Sequence, residues 1–134
     1  MVGKILNHTD EMIALATERD KKAGIYRNSV TEGEGRIHGF IAEQILADYL
    51  GRVPIVDDYN FDIIYSGMRL EVKAKPTTVI PREGHSASVG LLSQHQECDR
   101  YVFFRIKYLT SIKVEGKYNR EYKGLEKIYL MGDI

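Results

Sequence analysis

The chain has little of several residues that would mark particular protein classes. It contains one cysteine, three prolines and no tryptophan in 134 residues, and its formal net charge is zero. The single cysteine, Cys98, excludes an internal disulfide and suits a reducing compartment, so we expect a cytoplasmic protein. The longest apolar runs are only a handful of residues, which predicts no membrane-spanning segment. Residues 1–12 also lack the apolar core of a secretory signal.

Charge is distributed unevenly along the chain although it sums to zero. Residues 1–62 hold seven Lys and Arg against eleven Asp and Glu, whereas residues 63–134 hold twelve against eight. The second half is therefore positive, which is compatible with binding to nucleic-acid phosphates. An ordinary solvated surface explains the same asymmetry equally well. The four histidines are scattered rather than clustered, which argues against a histidine-metal site.

The hydrophobic pattern predicts an α+β domain built on a single mixed sheet flanked by helices. Asn7 or Thr9 can cap a first helix, and a second helix is expected from Arg36 to Leu50. We expect extended segments at 53–56, 61–65, 68–74 and 101–108, a loop over 76–90, a short helix over 91–97, and hairpin strands at 112–114 and 127–131. One domain covers residues 1–134, with an N-terminal extension (1–35), a core (36–108) and a C-terminal hairpin (109–134).

The strongest functional pattern lies on the hairpin whose predicted turn is Ser66-Gly67. A two-residue turn pairs residues whose numbers sum to 133, so Asp62 falls opposite Glu71. Side chains alternate along a strand, so Lys73 shares the face of Glu71. Like charges placed opposite each other destabilise a sheet. A divalent cation would relieve that repulsion, because Mg²⁺ is commonly held by one or two carboxylates plus substrate phosphates.

Two alternatives stay open for these acidic residues. An exposed polar hairpin face with a surface Glu–Lys pair would also produce the Asp62, Glu71 and Lys73 pattern. On the second helix, Glu43 lies in an apolar arc beside Leu46, where a carboxylate is costly to bury unless it is paired or binds metal. Glu43 therefore either meets the Asp62–Glu71 pair, sits at the rim, or pairs with a local Arg or Lys.

These motifs resemble the PD-(D/E)XK nuclease superfamily, whose core is an α-β-β-β-α-β unit. The matching parts are 39–43 with the following helix, 61–64 and 70–73. The resemblance implies a restriction-endonuclease-like αβββαβ core and a Mg²⁺-dependent endonuclease acting on DNA, with Mn²⁺ as a substitute metal. It also implies Asp62 and Glu71 as metal ligands, Lys73 as the catalytic lysine and Glu43 as the accessory acid that completes or supports the metal site.

The resemblance has departures, and it leaves other functions open. Phe61 stands where many members have proline, and a glutamine–tyrosine pattern typical of one branch is absent. A Holliday-junction resolvase and a non-catalytic DNA-binding protein that keeps the fold are the alternatives. A domain this small would cut both strands most simply as a homodimer. The expected DNA contacts are Arg69, Lys75, Arg82, His85, Gln94 and Gln96.

Overall fold

The computed structural model describes residues 3–26, 36–56, 61–81, 97–114 and 120–133. These residues form a single five-stranded sheet with strand order β1-β5-β4-β3-β2. Strands β3 and β4 run parallel, and the other neighbouring pairs run antiparallel. The predicted α+β class with one mixed sheet is therefore confirmed. The elements are β1 (Lys4–Leu6), α1 (Asp10–Tyr26), α2 (Arg36–Tyr49), β2 (Ile63–Tyr65), β3 (Met68–Thr77), β4 (Arg100–Lys113) and β5 (Arg120–Asp133).

The two helices form one layer against the sheet. The Thr9 hydroxyl accepts a hydrogen bond from the Met12 N–H over 3.2 Å, so Thr9 is the cap of α1. Helix α2 ends one residue before the predicted end, and Gly51 follows it with a φ of 98°. Helix α1 packs on α2, which packs on β3 and β4. Fully buried isoleucines from α2 and three strands fill the space between the layers: Ile45, Ile63, Ile106 and Ile128. Among the described residues, no helix has both the length and the apolar character needed to cross a membrane.

The hairpin turn has the predicted register. Ser66 and Gly67 both have positive φ angles, 49° and 76°, which is the backbone of a type I′ turn. The paired residues are Tyr65 with Met68, Ile64 with Arg69, and Ile63 with Leu70.

The predicted strands at 53–56 and 68–74 differ from the observed ones. The segment at 53–56 forms only an isolated bridge between Ile55 and Ile63. Strand β3 continues to Thr77, into the predicted loop. It can include Pro76 because β2 pairs only with Met68–Leu70, so the missing N–H removes no hydrogen bond to β2.

Strand β4 also differs from the prediction, because it spans both 101–108 and the first strand of the expected tail hairpin. Two register shifts let it stay paired with β5 across this length, so the sheet bends without a break. The short strand β1 was not predicted. Of the predicted helix at 91–97, Glu97 is not helical, and the rest lies outside the described residues.

Candidate functional site

Asp62 lies immediately before β2, and hydrogen bonds fix both its backbone and its side chain. Its N–H donates to the Leu70 carbonyl over 2.8 Å, and its carbonyl accepts from the Val56 N–H over 2.7 Å. Its Oδ2 accepts from the Val72 N–H over 2.8 Å. The residue is 6% exposed. The strand pairing ends at Ile63, so the predicted Asp62–Glu71 strand pair is replaced by a side-chain bond to the β3 backbone.

Glu71 lies on β3, is 6% exposed, and is hydrogen-bonded to the Asp62 side chain. The pKa of Glu71 is raised to about 9, chiefly by burial and then by the hydrogen bond and negative charge of Asp62. Lys73 acts in the opposite direction, and the charge of Glu43 adds to the rise. At neutral pH the Asp62–Glu71 pair therefore holds a proton, through which one carboxyl group donates a hydrogen bond to the other. The structure thus brings the two predicted carboxyl groups into direct contact.

Lys73 is two residues further along β3, on the same face as Glu71. Its Nζ lies 6.0 Å from the centre of the Tyr101 ring. Tyr101 is the residue of β4 that pairs with Glu71 across the parallel register. Sequence reasoning missed Tyr101, because the strand at 101–108 was predicted but its parallel pairing with β3 was not. The side chain of Cys98 is hydrogen-bonded to Tyr101, and burial raises the pKa of the Cys98 thiol.

Glu43 on α2 is 5% exposed and pairs with Arg19 of α1 over 2.9 Å. Glu43 therefore pairs with a basic residue of another helix, and not with the local Arg or Lys that was one of its predicted alternatives. Its partner is 24 residues away in sequence, and no local periodicity could have identified Arg19. The Arg19 guanidinium also lies 4.5 Å from the centre of the Phe40 ring. Glu43 still contributes to the acidic site, because its charge raises the pKa of Glu71.

Within the described residues, no group of three or more His, Cys, Asp or Glu side chains is arranged to hold a metal ion. A site of two contacting carboxyl groups, Asp62 and Glu71, is what the described residues offer. That donor set fits Mg²⁺, which keeps several water ligands and uses one or two carboxylates with substrate phosphates.

The expected DNA contacts lie only partly within the described residues. Arg69 forms an exposed ion pair with Asp99, with 3.2 Å between Nε and Oδ2. Backbone groups of both residues also take part in hydrogen bonds between them, so the pair joins the starts of β3 and β4. Lys75 is exposed, on the face that carries Lys73. The other four residues, Arg82, His85, Gln94 and Gln96, lie outside the described residues.

A second buried polar group, His38, lies on α2. Its Nδ1 is 2.9 Å from the Tyr108 hydroxyl, and its ring packs edge-on against Tyr108 and Tyr122. Burial lowers the pKa of His38 to about 4, against an opposing effect of Asp20. His38 is therefore a neutral histidine of the core.

Comparison with protein-family models, curated proteins and solved structures finds no match to this chain. The geometry and electrostatics of the acidic site therefore carry the functional argument.

Proposed function

We propose that the protein is a Mg²⁺-dependent endonuclease that hydrolyses phosphodiester bonds in DNA. The observation that carries the proposal is the contact between the buried carboxyl groups of Asp62 and Glu71, with Lys73 on the same strand face. Two buried acids in contact are costly to a fold. A protein that only needed stability would gain by replacing one of them, whereas a cation-binding site needs both.

Each residue of the site has a distinct role in this proposal. Asp62 and Glu71 would hold the Mg²⁺, which when bound polarises the phosphate and lowers the pKa of a water molecule. The Val72 N–H keeps Asp62 oriented. The Lys73 ammonium orients the attacking water or stabilises the negative charge that develops on the phosphate oxygens. Glu43 supports the site from α2, and Lys75 contacts the DNA backbone.

The restriction-endonuclease-like core is part of the same proposal. Its support is the order of α2, the β2–β3 hairpin with the Glu-Val-Lys sequence, and the following strand β4. The described order differs from the αβββαβ core in one respect, because the segment at 53–56 forms only an isolated bridge and not the first strand. The fold alone does not imply catalysis, so the function depends on the site residues.

A cleavage assay tests the proposal and separates it from its alternatives. The full chain is incubated with supercoiled plasmid, single-stranded DNA and a four-way junction, each with Mg²⁺ and with EDTA. We expect Mg²⁺-dependent cutting by the wild type and none by Asp62→Asn. Cutting confined to the junction would indicate a resolvase, whereas salt-sensitive binding without cutting would indicate a non-catalytic DNA-binding protein.

We also propose that the active form is a homodimer. One domain of this size carries one site, whereas a duplex has two strands to cut, and two-fold dimers are the commonest oligomers. Light scattering with and without DNA measures the mass in solution. A strict monomer that cuts both strands in one encounter would contradict the dimer.

A further inference from the structure

The ion pair between Arg19 and Glu43 joins the N-terminal helix to the acidic site. The Nη2 of Arg19 lies 2.9 Å from the Oε1 of Glu43, and their side chains are 23% and 7% exposed. At this degree of burial, water competes only weakly with the ion pair. Removing either member would leave the other charge incompletely compensated.

Two groups on α2 hold the Arg19 guanidinium. Glu43 contacts its edge, and the ring of Phe40, one helical turn earlier, lies under it at 4.5 Å from the ring centre. A guanidinium is planar and can stack and pair at the same time, which an ammonium cannot do equally well. The arrangement therefore holds the Glu43 carboxylate in one position and also balances its negative charge.

Glu43 is buried on α2, and α2 packs directly on β3, the strand that carries the buried Glu71. The negative charge of Glu43 therefore acts on the carboxyl pair through the poorly screened interior of the protein. The second oxygen of Glu43, Oε2, lies beside Gly39, where an added Cβ would be 3.9 Å away. Arg19 occupies Oε1, so the two oxygens of Glu43 have different surroundings. An ion pair that only joined two helices would not need to lie within the electrostatic reach of this site.

We propose that Arg19 is a positioning residue of the acidic site: through its ion pair it fixes Glu43 and offsets the charge that Glu43 adds beside Asp62 and Glu71. This inference rests on the proposed function. It assigns Glu43 to the support of the metal site, and it implies that α1 contributes to nuclease activity through Arg19. Removing the charge of Arg19 should therefore strengthen cation binding and weaken cleavage.

The experiment compares Arg19→Gln with Arg19→Lys and with the control Arg52→Gln. Arg52 forms a 3.8 Å surface pair with Asp48, and its side chain is 90% exposed. Calorimetry measures the binding of Mn²⁺ alone, and single-turnover cleavage of plasmid in Mn²⁺ measures the reaction. Thermal unfolding of each variant separates loss of folded protein from loss of function.

In Arg19→Gln the site has one positive charge fewer, so Mn²⁺ should bind about three- to tenfold more tightly. Cleavage should fall about tenfold or more, because Glu43 is no longer held in place. Arg19→Lys keeps the charge and should bind Mn²⁺ like the wild type, with a smaller loss of cleavage. If Arg19→Gln does not fold, the test depends on Arg19→Lys, which should show wild-type Mn²⁺ binding and reduced cleavage. In a Glu43→Gln background, Arg19→Gln should change cleavage by less than about twofold.

The inference would be overturned if Arg19→Gln bound Mn²⁺ and cut DNA like the wild type. It would also be overturned if both Mn²⁺ binding and cleavage fell in proportion to the unfolded fraction of the variant. In either case Asp62→Asn would still be inactive, and the proposed function would stand. A wild-type protein that neither binds Mn²⁺ nor cuts DNA would overturn both proposals.

Discussion

The Val72 N–H donates to the Asp62 Oδ2 over 2.8 Å. This bond attaches the carboxylate to the backbone segment between Glu71 and Lys73. The proposed metal ligands and the proposed catalytic lysine are therefore held by one short stretch of β3. On its other side this stretch pairs with β4, the central strand of the sheet.

The first prediction separates metal binding from the chemical step. Asp62→Asn removes a charged ligand and should weaken Mg²⁺ binding and abolish cleavage together. Lys73→Met leaves both carboxyl groups in place and removes a nearby positive charge, so metal binding should be maintained or strengthened. Its cleavage should nevertheless fall about 100-fold or more. Calorimetry with Mg²⁺ and a plasmid cleavage assay measure the two quantities.

Matched controls are available for both variants. Asp48→Asn changes an acid on α2 that pairs with exposed Arg52, and Lys75→Met changes the next lysine on the same face of β3. Asp48→Asn should behave as the wild type, and Lys75→Met should mainly weaken DNA binding and its salt dependence. The role of the lysine would be wrong if Lys73→Met cut DNA at the wild-type rate. The whole site would be wrong if Asp62→Asn bound metal and cut DNA normally.

The second prediction concerns the dependence of stability on pH. Folding raises the pKa of Glu71 from 4.5 to about 9. The contribution of its protonated form to stability is complete below pH 4.5 and is lost progressively as the pH rises towards 9. Glu71→Gln resembles the protonated form and should not show this loss. In urea unfolding without metal, the free energy of unfolding of the variant should rise relative to that of the wild type across this pH range. Parallel plots of unfolding free energy against pH for the two proteins would contradict the raised pKa.

The third prediction concerns the turn that sets the hairpin register. Ser66 and Gly67 both have positive φ, which costs a residue with a side chain more than it costs glycine. Ser66→Asn should stabilise the protein by roughly 0.5 kcal/mol, because Asn adopts this conformation more readily. Gly67→Ala should destabilise it by about 1 kcal/mol or more through backbone strain alone, since no atom lies within 4 Å of the added Cβ. Chemical denaturation measures the free energy of unfolding of both variants. The same change in this free energy for the two variants would contradict the turn assignment.

The fourth prediction concerns His38, whose pKa is lowered by burial from 6.5 to about 4. The neutral ring contributes stability that is present above pH 6.5 and is lost as the pH falls towards 4, because the unfolded chain takes up a proton first. The loss should be on the order of 3 kcal/mol. His38→Gln should flatten this part of the stability curve. An NMR titration that gave His38 an ordinary, unshifted pKa would contradict the prediction.

The hairpin and the identity of the acidic residues could be predicted from the sequence, because both depend on local patterns. The Ser66-Gly67 turn determines its own register, and alternation places Glu71 and Lys73 on one face. The bend at Asp62 could not be predicted. It depends on hydrogen bonds from Val56 and Val72 that exist only in the folded sheet.

The rest of the site depends on contacts between distant segments. Arg19 reaches Glu43 only because α1 packs on α2, and Tyr101 lies beside Glu71 only because β4 runs parallel to β3. Neither arrangement leaves a periodic signal in the sequence. The length of β4 was missed for a related reason, because pairing with β5 keeps its exposed polar end extended.

The pairing of β1 with β5 has a consequence for the order of events during synthesis on the ribosome. Lys4–Leu6 pairs with residues 128–130, so it has no partner in this sheet until almost all of the described chain has been made. Helices α1 and α2 and the β2–β3 hairpin can form early, since their contacts are close in sequence. Closing the sheet at β1 requires joining segments more than a hundred residues apart, which carries the largest loop entropy in the described fold. The acidic hairpin can therefore form before the sheet is complete.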